Sequence, residues 1–454
     1  MNDQKAGNFF GACLEIMSEG FAGANDELAS IEAQAKAFLT SIGYLASTGE
    51  ERRHCRALLA LAERFSDTSI FPNKRAPGAT FFAGIIEPKS FGVRGHGDIL
   101  QSPSGRGLNL KGAFESCLGE AAEYLSFIEH DEDPLIQSTE QSAGLDEAEL
   151  AWACAGVGIE ADAMKIDSKD WVEATSLSDG SKAFFPSELV LRRPSPKTSQ
   201  RRQAESNGVG AGRSLDEAIK SALMEVIESD AIALWWYAGQ PATKISDQFI
   251  RSNGVDSLIN KVRGNVERRH WFLDLTNDLG VPVAASLSSN PDGSEVVGGF
   301  ASRETLVEAM ESAFLENCQM ELAQDLTLMK LTHLSEAQLK PQDMTWLTRM
   351  RRMSIANFPE LMGVAFSSDF GRQKDTSSNC SIFGRLAGKG ITPYFVDLTR
   401  TGINVPVARV LIPGLQSVKP GWVSPRLVKQ ARKYVCGGAK LVHGSGGIVL
   451  SRAA

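Results

Sequence analysis

Three segments of this 454-residue chain share the spacing A-x2-S-x3-E-x2-[E/Q], and that repetition constrains its fold more than any other feature. The first copy is Ala113, Ser116, Glu120 and Glu123; the second is Ala218, Ser221, Glu225 and Glu228; the third is Ala309, Ser312, Glu316 and Gln319. Residues at i, i+4 and i+7 of an α-helix stack on one face, so Ser, Glu and Glu/Gln point the same way from each helix. Their neighbours are largely apolar (Leu118, Ala121, Ala122; Leu223, Val226, Ile227; Phe314, Leu315), which predicts partly buried carboxylates. Buried acids demand counter-charge, and hard oxygen ligands in number suit Mg2+, an ion that commonly brings phosphates. A single acid pair on a helix is ordinarily a solvated face, but three copies with matching Ala and Ser offsets call for a shared cause. Glycine turns precede the first two at the same offset, Gly105-Arg106-Gly107 and Gly210-Ala211-Gly212; Gly298-Gly299 precedes the third at a slightly longer one.

Around the repeats, helical periodicity marks 26–44, 50–65, 110–128, 214–236 and 303–330. Strand patterns fall at 79–88, 182–191, 280–288, 295–300, 392–398 and 405–412, with a turn at Asn290-Pro291-Asp292-Gly293. The basic, proline-bearing stretch 192–207 reads as a loop. Helices and strands mix without strict alternation, which predicts an α+β fold and not a doubly wound sheet. The break at 72–78 divides a helical N-terminal region, 1–76, from a larger domain, 77–454.

With 43% hydrophobic and 22% charged residues, the composition is that of a soluble globular protein. A net charge of -8 argues against non-specific nucleic-acid binding. The seven cysteines are scattered without a C-x2-C pair, which speaks against a zinc site or disulfide framework and for a reducing compartment. The N-terminus has no signal-peptide pattern, and no apolar run is long enough for a membrane span, so the expected location is cytoplasmic. A Walker A motif is absent: Gly384-Arg385-Leu386-Ala387-Gly388-Lys389-Gly390 lacks the spacing and the closing Ser/Thr. The run Gly208–Gly212 follows a polar loop and reads poorly as a dinucleotide fingerprint.

In order and content these segments resemble the YcaO family. The carriers are GRGLNLKGAFESCLGEAAEY, SNGVGAGRSLDEAIKSALMEVIESDAIALWW, GGFASRETLVEAMESAFLENCQ and VDLTRTGINVPVARVLIPGLQ, spread over about residues 78–440. The resemblance implies a pseudo-symmetric α+β domain with a helical N-terminal extension, binding ATP and Mg2+ between the motif helices. It implies ATP-dependent activation of peptide-bond oxygens in a ribosomally made precursor peptide. Attack by Cys, Ser or Thr then gives azolines, attack by sulfide a thioamide, and attack by an amine an amidine. By motif position, Ser116, Glu120, Glu123, Asn207, Glu225, Glu228, Glu316, Gln319 and Arg106 are the nucleotide and metal candidates, and Glu120, Glu123, Glu225, Glu228 and Glu316 the metal ligands among them. No enzyme nucleophile is implied. Trp235 and Trp236 read as core.

The arginine that commonly closes each motif is replaced by Tyr124, Ser229 and Glu321, with Arg213, Arg303 and Arg409 as candidate substitutes. The C-terminus, GGIVLSRAA, lacks the proline-rich tail of many azoline-forming members. The leading expectation is cyclodehydration in a peptide-antibiotic pathway. Thioamide or amidine formation is the close rival, and a non-catalytic scaffold for the precursor peptide is the rival of another class. A leader-binding or accessory partner protein is expected beside the peptide. Leader binding and homodimer formation are the roles open to 1–76.

Overall fold

The computed structural model of the chain describes residues 3–18, 26–93, 100–137, 147–157, 170–192, 205–364, 382–418, 423–434, 441–444 and 447–450. Every named strand pair is antiparallel and helices segregate to the sheet faces, so the fold is α+β. Each repeat is one strand–turn–helix unit. Strand Ser104–Gly107 leads into the first motif helix, Leu110–Phe127; strand Val209–Ala211 into the second, Leu215–Trp236; strand Val297–Ser302 into the third, Leu306–Lys330. Side chains of Asn109, Ser214 and Thr305 cap the three N-termini, each accepting the N–H three residues on. Such caps contribute about 1 kcal/mol apiece and fix where each helix begins.

The three leading strands all end their sheets. Ser104–Gly107 closes a three-stranded sheet, Val209–Ala211 a six-stranded one and Val297–Ser302 a four-stranded one. Each motif helix lies on its own edge strand. The repeat's glycines make this approach: a Cβ on Gly105 would sit 2.1 Å from the Ala113 carbonyl oxygen, and one on Gly210 2.7 Å from that of Ala218. In the third unit, Gly299 meets the Ala313 carbonyl at 2.3 Å, one turn further along the helix, which accounts for the longer offset in the sequence. Ala113, Ala218 and Ala309 are fully buried, so the repeat's alanine is a packing residue.

The N-terminal region is helical, with helices Asp3–Met17, Asp26–Ser41 and Gly49–Glu63. The first of these carries no distinct periodic signal in the sequence. Phe10, Phe38, Tyr44 and Phe82 gather around Phe114 of the first motif helix, with ring centroids 5.4–6.2 Å apart. Strand Asp67–Phe71 pairs with Thr80–Ile85 across the loop at 72–78, so one sheet and one hydrophobic core span the expected division.

Two local expectations change. The strand pattern at 182–191 is a strand only over Lys182–Pro186; Ser187–Val190 is a helical turn, started by Pro186 (φ -50°) and the Ser-Glu pair behind it. Strands Asp170–Ser176 and Arg269–Asp274, and helices Val255–Arg263, Pro341–Arg352 and Pro425–Tyr434, carry the sheets and their covers without having stood out in the sequence. The hairpin around residues 290–293 forms as expected, with Val283 opposite Ser302 and Gly293 at φ +84°. Most of the loop at 192–207 lies outside the described residues.

Candidate active site

The acidic residues of the three helices are linked in a cycle. The first carboxylate of each motif accepts a backbone N–H from its own strand segment: Glu120 from Ser104 (3.0 Å), Glu225 from Gly208 (3.0 Å) and Glu316 from Phe300. The second position reaches the strand of the next repeat. Glu123 accepts the Ala211 N–H at 2.7 Å, Glu228 the Ser302 N–H at 3.1 Å, and Gln319 donates to the Ser104 hydroxyl at 2.8 Å, closing the ring. The cycle explains the spacing of the motif: one residue holds the repeat to itself, and the other, three positions on, holds it to its neighbour.

Three junctions result. The first brings Glu123 beside Glu225, with Arg409 near the latter. The second brings Glu228 beside Glu316, with Arg303 near both. At the third, Arg106 donates to Gln319 Oε1 at 2.6 Å and lies 3.4 Å from Glu316. The amide of Gln319 makes this junction less acidic than the others.

Electrostatics follows from this crowding. Burial pushes the carboxyls of Glu123, Glu225 and Glu228 up to about 8, and neighbouring carboxylates add to each rise. Burial also raises Glu316, opposed by Arg106 and Arg303. Glu120 keeps solvent contact, yet desolvation raises it too, against the Ser104 N–H and Arg106. Acids that neighbour and repel one another in this way are relieved by positive charge, which makes Glu123 with Glu225, and Glu228 with Glu316, the candidate positions for cations. Among the described residues, no three His, Cys, Asp or Glu side chains gather into a closed metal cage. An arrangement of one or two carboxylates per junction suits Mg2+, which takes its remaining ligands from water and phosphate.

The other candidates occupy the same region. Ser116 is half-buried one turn before Glu120. Asn207 is buried; its side-chain oxygen accepts the Ser229 hydroxyl at 2.7 Å and its carbonyl accepts Arg409 at 2.6 Å. Arg409 is itself fully buried, 5.0 Å from the Phe127 ring centre, and desolvation brings its guanidinium down to about 10. Arg303 donates to the Ser312 hydroxyl at 2.6 Å. Arg213 instead pairs with exposed Glu217 at 2.8 Å and does not serve the ring.

The positions that lack the closing arginine are each re-equipped. Tyr124 faces Arg192, whose guanidinium lies 5.9 Å from the ring centre. Ser229 holds Asn207. Glu321 inverts the charge: it is fully buried between Arg263 and Arg268, the latter 2.9 Å away, and accepts the Ser288 hydroxyl at 2.5 Å. The C-terminal motif is also structural. Arg400 binds the carbonyls of Ser126 (2.7 Å) and Ile128 (2.9 Å) at the end of the first motif helix, and Asp230 of the second accepts the Gln416 N–H at 3.1 Å. Ser104, Arg263 and Arg268 carry no local signal that would have singled them out. Trp235 is core, as expected.

Known proteins resemble this chain in sequence and in fold. The family model described as YcaO cyclodehydratase, ATP- and Mg2+-binding, matches residues 104–416. An uncharacterized protein of Methanothermobacter thermautotrophicus is 25% identical over 272 residues, 57% of this chain and 69% of that protein. A heterocyclase in complex with substrate and cofactor is similar in structure, with a TM-score of 0.60 and 20% identity, over 82% of this chain but 53% of the other, so this chain spans about half its length. YcaO from Methanopyrus kandleri bound with AMPPCP and Mg2+ gives a TM-score of 0.53 at 19% identity, over 81% of this chain and 91% of the other. At such identities the structural likeness shows the fold, while the family match covers all three motifs and the C-terminal segment; the chain belongs to the YcaO family.

Proposed function

We propose that this chain uses ATP and Mg2+ to activate backbone amides of a ribosomally made precursor peptide, cyclodehydrating Cys, Ser or Thr to azolines. The observation that carries the reading is the hydrogen-bonded cycle that joins the carboxylates of the three helices, in which Glu123, Glu225 and Glu228 are lifted to about 8. When bound, ATP supplies the phosphoryl group that turns an amide oxygen into a leaving group, and Mg2+ offsets the phosphate charge. Glu123 with Glu225, and Glu228 with Glu316, are the pairs that would hold the metal, with Glu120 at the exposed rim. Arg106 and Arg303 would meet the phosphates, while Ser116, Asn207 and Gln319 would position the nucleotide by hydrogen bonds. Arg409 and Ser229 keep Asn207 in place. The chain's task is positioning and charge neutralisation, and no side-chain nucleophile is needed. A precursor peptide is the substrate, an accessory leader-binding protein is the partner, and residues 1–76 brace the first motif helix.

Mass spectrometry of a candidate precursor incubated with the protein, ATP and Mg2+ tests this. Loss of one water per site supports cyclodehydration. Exchange of oxygen for sulfur, or amidine formation with an amine, moves the chemistry to the family's other products. Absence of nucleotide binding in calorimetry overturns all three and leaves a scaffold.

A further inference from the structure

Charge is divided unevenly along this chain. No Asp or Glu follows Asp397, while the last 57 residues carry nine Lys and Arg. The first 397 residues therefore hold 38 Lys and Arg against all 55 Asp and Glu, a net charge of -17. Three of the nine basic residues are used inside the fold: Arg400 closes the first motif helix, Arg409 lies beside Glu225, and Arg426 is clamped by Asp230 and Asp278. Arg426 stands in the first turn of helix Pro425–Tyr434, whose Leu427 and Ala431 are buried against Leu234 and Ala238 of the second repeat. That packing orients the helix and leaves Lys429, Arg432 and Lys433 exposed, at i, i+3 and i+4 on one face. Tyr237 packs on the same cluster, and the Arg349 charge nearby opposes the burial that raises its hydroxyl. Arg349, itself exposed, stands near the end of helix Pro341–Arg352.

The surroundings select the partner. An interfacial helix needs its apolar stripe free to enter lipid, and here Leu427 and Ala431 are already covered. A long polyanion such as nucleic acid would run off a helix of ten residues, about 15 Å long, onto a strongly acidic body. A short acidic segment matches the face in both sign and extent.

We propose that Lys429, Arg432 and Lys433 form a docking face for an acidic peptide segment, which, on the functional reading above, belongs to the peptide substrate. Fluorescence anisotropy of the full chain with a dye-labelled peptide of alternating Glu and Ser, without ATP or Mg2+, tests it. Binding should weaken with added salt, and K429E/R432E/K433E should lose at least about tenfold in affinity. K429Q/R432Q/K433Q, which makes no new acidic contacts, should lose less but measurably, with the wild-type circular dichroism spectrum. Unchanged affinity in the glutamine variant, equal binding of a Lys-Ser peptide, or tighter binding of a single-stranded oligonucleotide or an anionic phospholipid vesicle overturns the proposal. The assay contains no nucleotide, so its failure leaves the ATP reading standing, and a failure of ATP binding leaves the docking face standing.

Discussion

Two kinds of carboxylate, one fully buried and one half-buried, sit within the same repeat system and are treated in opposite ways. Glu321 on the third motif helix is enclosed by Arg263 and Arg268 and accepts a hydrogen bond from the Ser288 hydroxyl. Glu123, Glu225 and Glu228 each accept one backbone N–H, make no ion pair among the described residues, and are lifted to about 8. A carboxylate that meets its cations inside the fold is part of the structure. On the function proposed here, one that faces other carboxylates is held for a cation from outside. Position alone does not separate the two classes, since Glu321 lies only five residues beyond Glu316; their partners do.

That contrast can be broken by substitution. Glu228→Gln should lower ATP-dependent activity by more than about 100-fold, since it removes a charge from the acidic frame. The metal-free protein should keep its melting temperature, because the mutation relieves repulsion from Glu316 and Glu225. Glu321→Ala should do the reverse at first hand, costing about 3–5 kcal/mol in urea denaturation by leaving Arg263 and Arg268 buried without their partner. If Glu321→Ala unfolds as the wild type does, the distinction fails. Gly210→Ala should cost about 1–3 kcal/mol and weaken nucleotide binding as well, because its Cβ would meet the Ala222 nitrogen at 2.4 Å and push the second helix off its strand. A further effect concerns pH. Between the ordinary 4.5 and about 8, the folded chain holds more protons on these glutamates than the unfolded chain does. Their contribution to metal-free stability is therefore complete below the lower value and lost as pH rises through the upper one. Differential scanning fluorimetry from about pH 5.5 to 8.5 should show that decline, and Mg2+ with nucleotide should abolish it.

The three motif helices and the glycine turns were legible in the sequence because their causes are local: Ala113 and Gly105, or Ala218 and Gly210, lie a few residues apart and meet directly. The common face of Ser, Glu and Glu/Gln was legible for the same reason. The cyclic hand-over was not. Glu123 finds the Ala211 N–H 88 residues away and Gln319 finds Ser104 215 residues back, and nothing near either residue encodes the meeting. The replacement of the closing arginines is hidden in the same way, because Arg263 reaches Glu321 from 58 residues away. Of the three arginines singled out as substitutes, Arg303 and Arg409 lie at the ring, whereas Arg213 is taken by Glu217. The break at 72–78 was visible as composition, but the pairing of Thr68 with Gly84 across it depends on the folded sheet.

The most direct test of the acidic frame is proton release. Calorimetric titration of Mg2+ and ATP into the protein at about pH 7, in two buffers of different ionisation enthalpy, counts the protons displaced when cations meet these glutamates. The account predicts net release from the wild-type protein and a smaller release from Glu228→Gln. Binding with no proton displaced from either would contradict it.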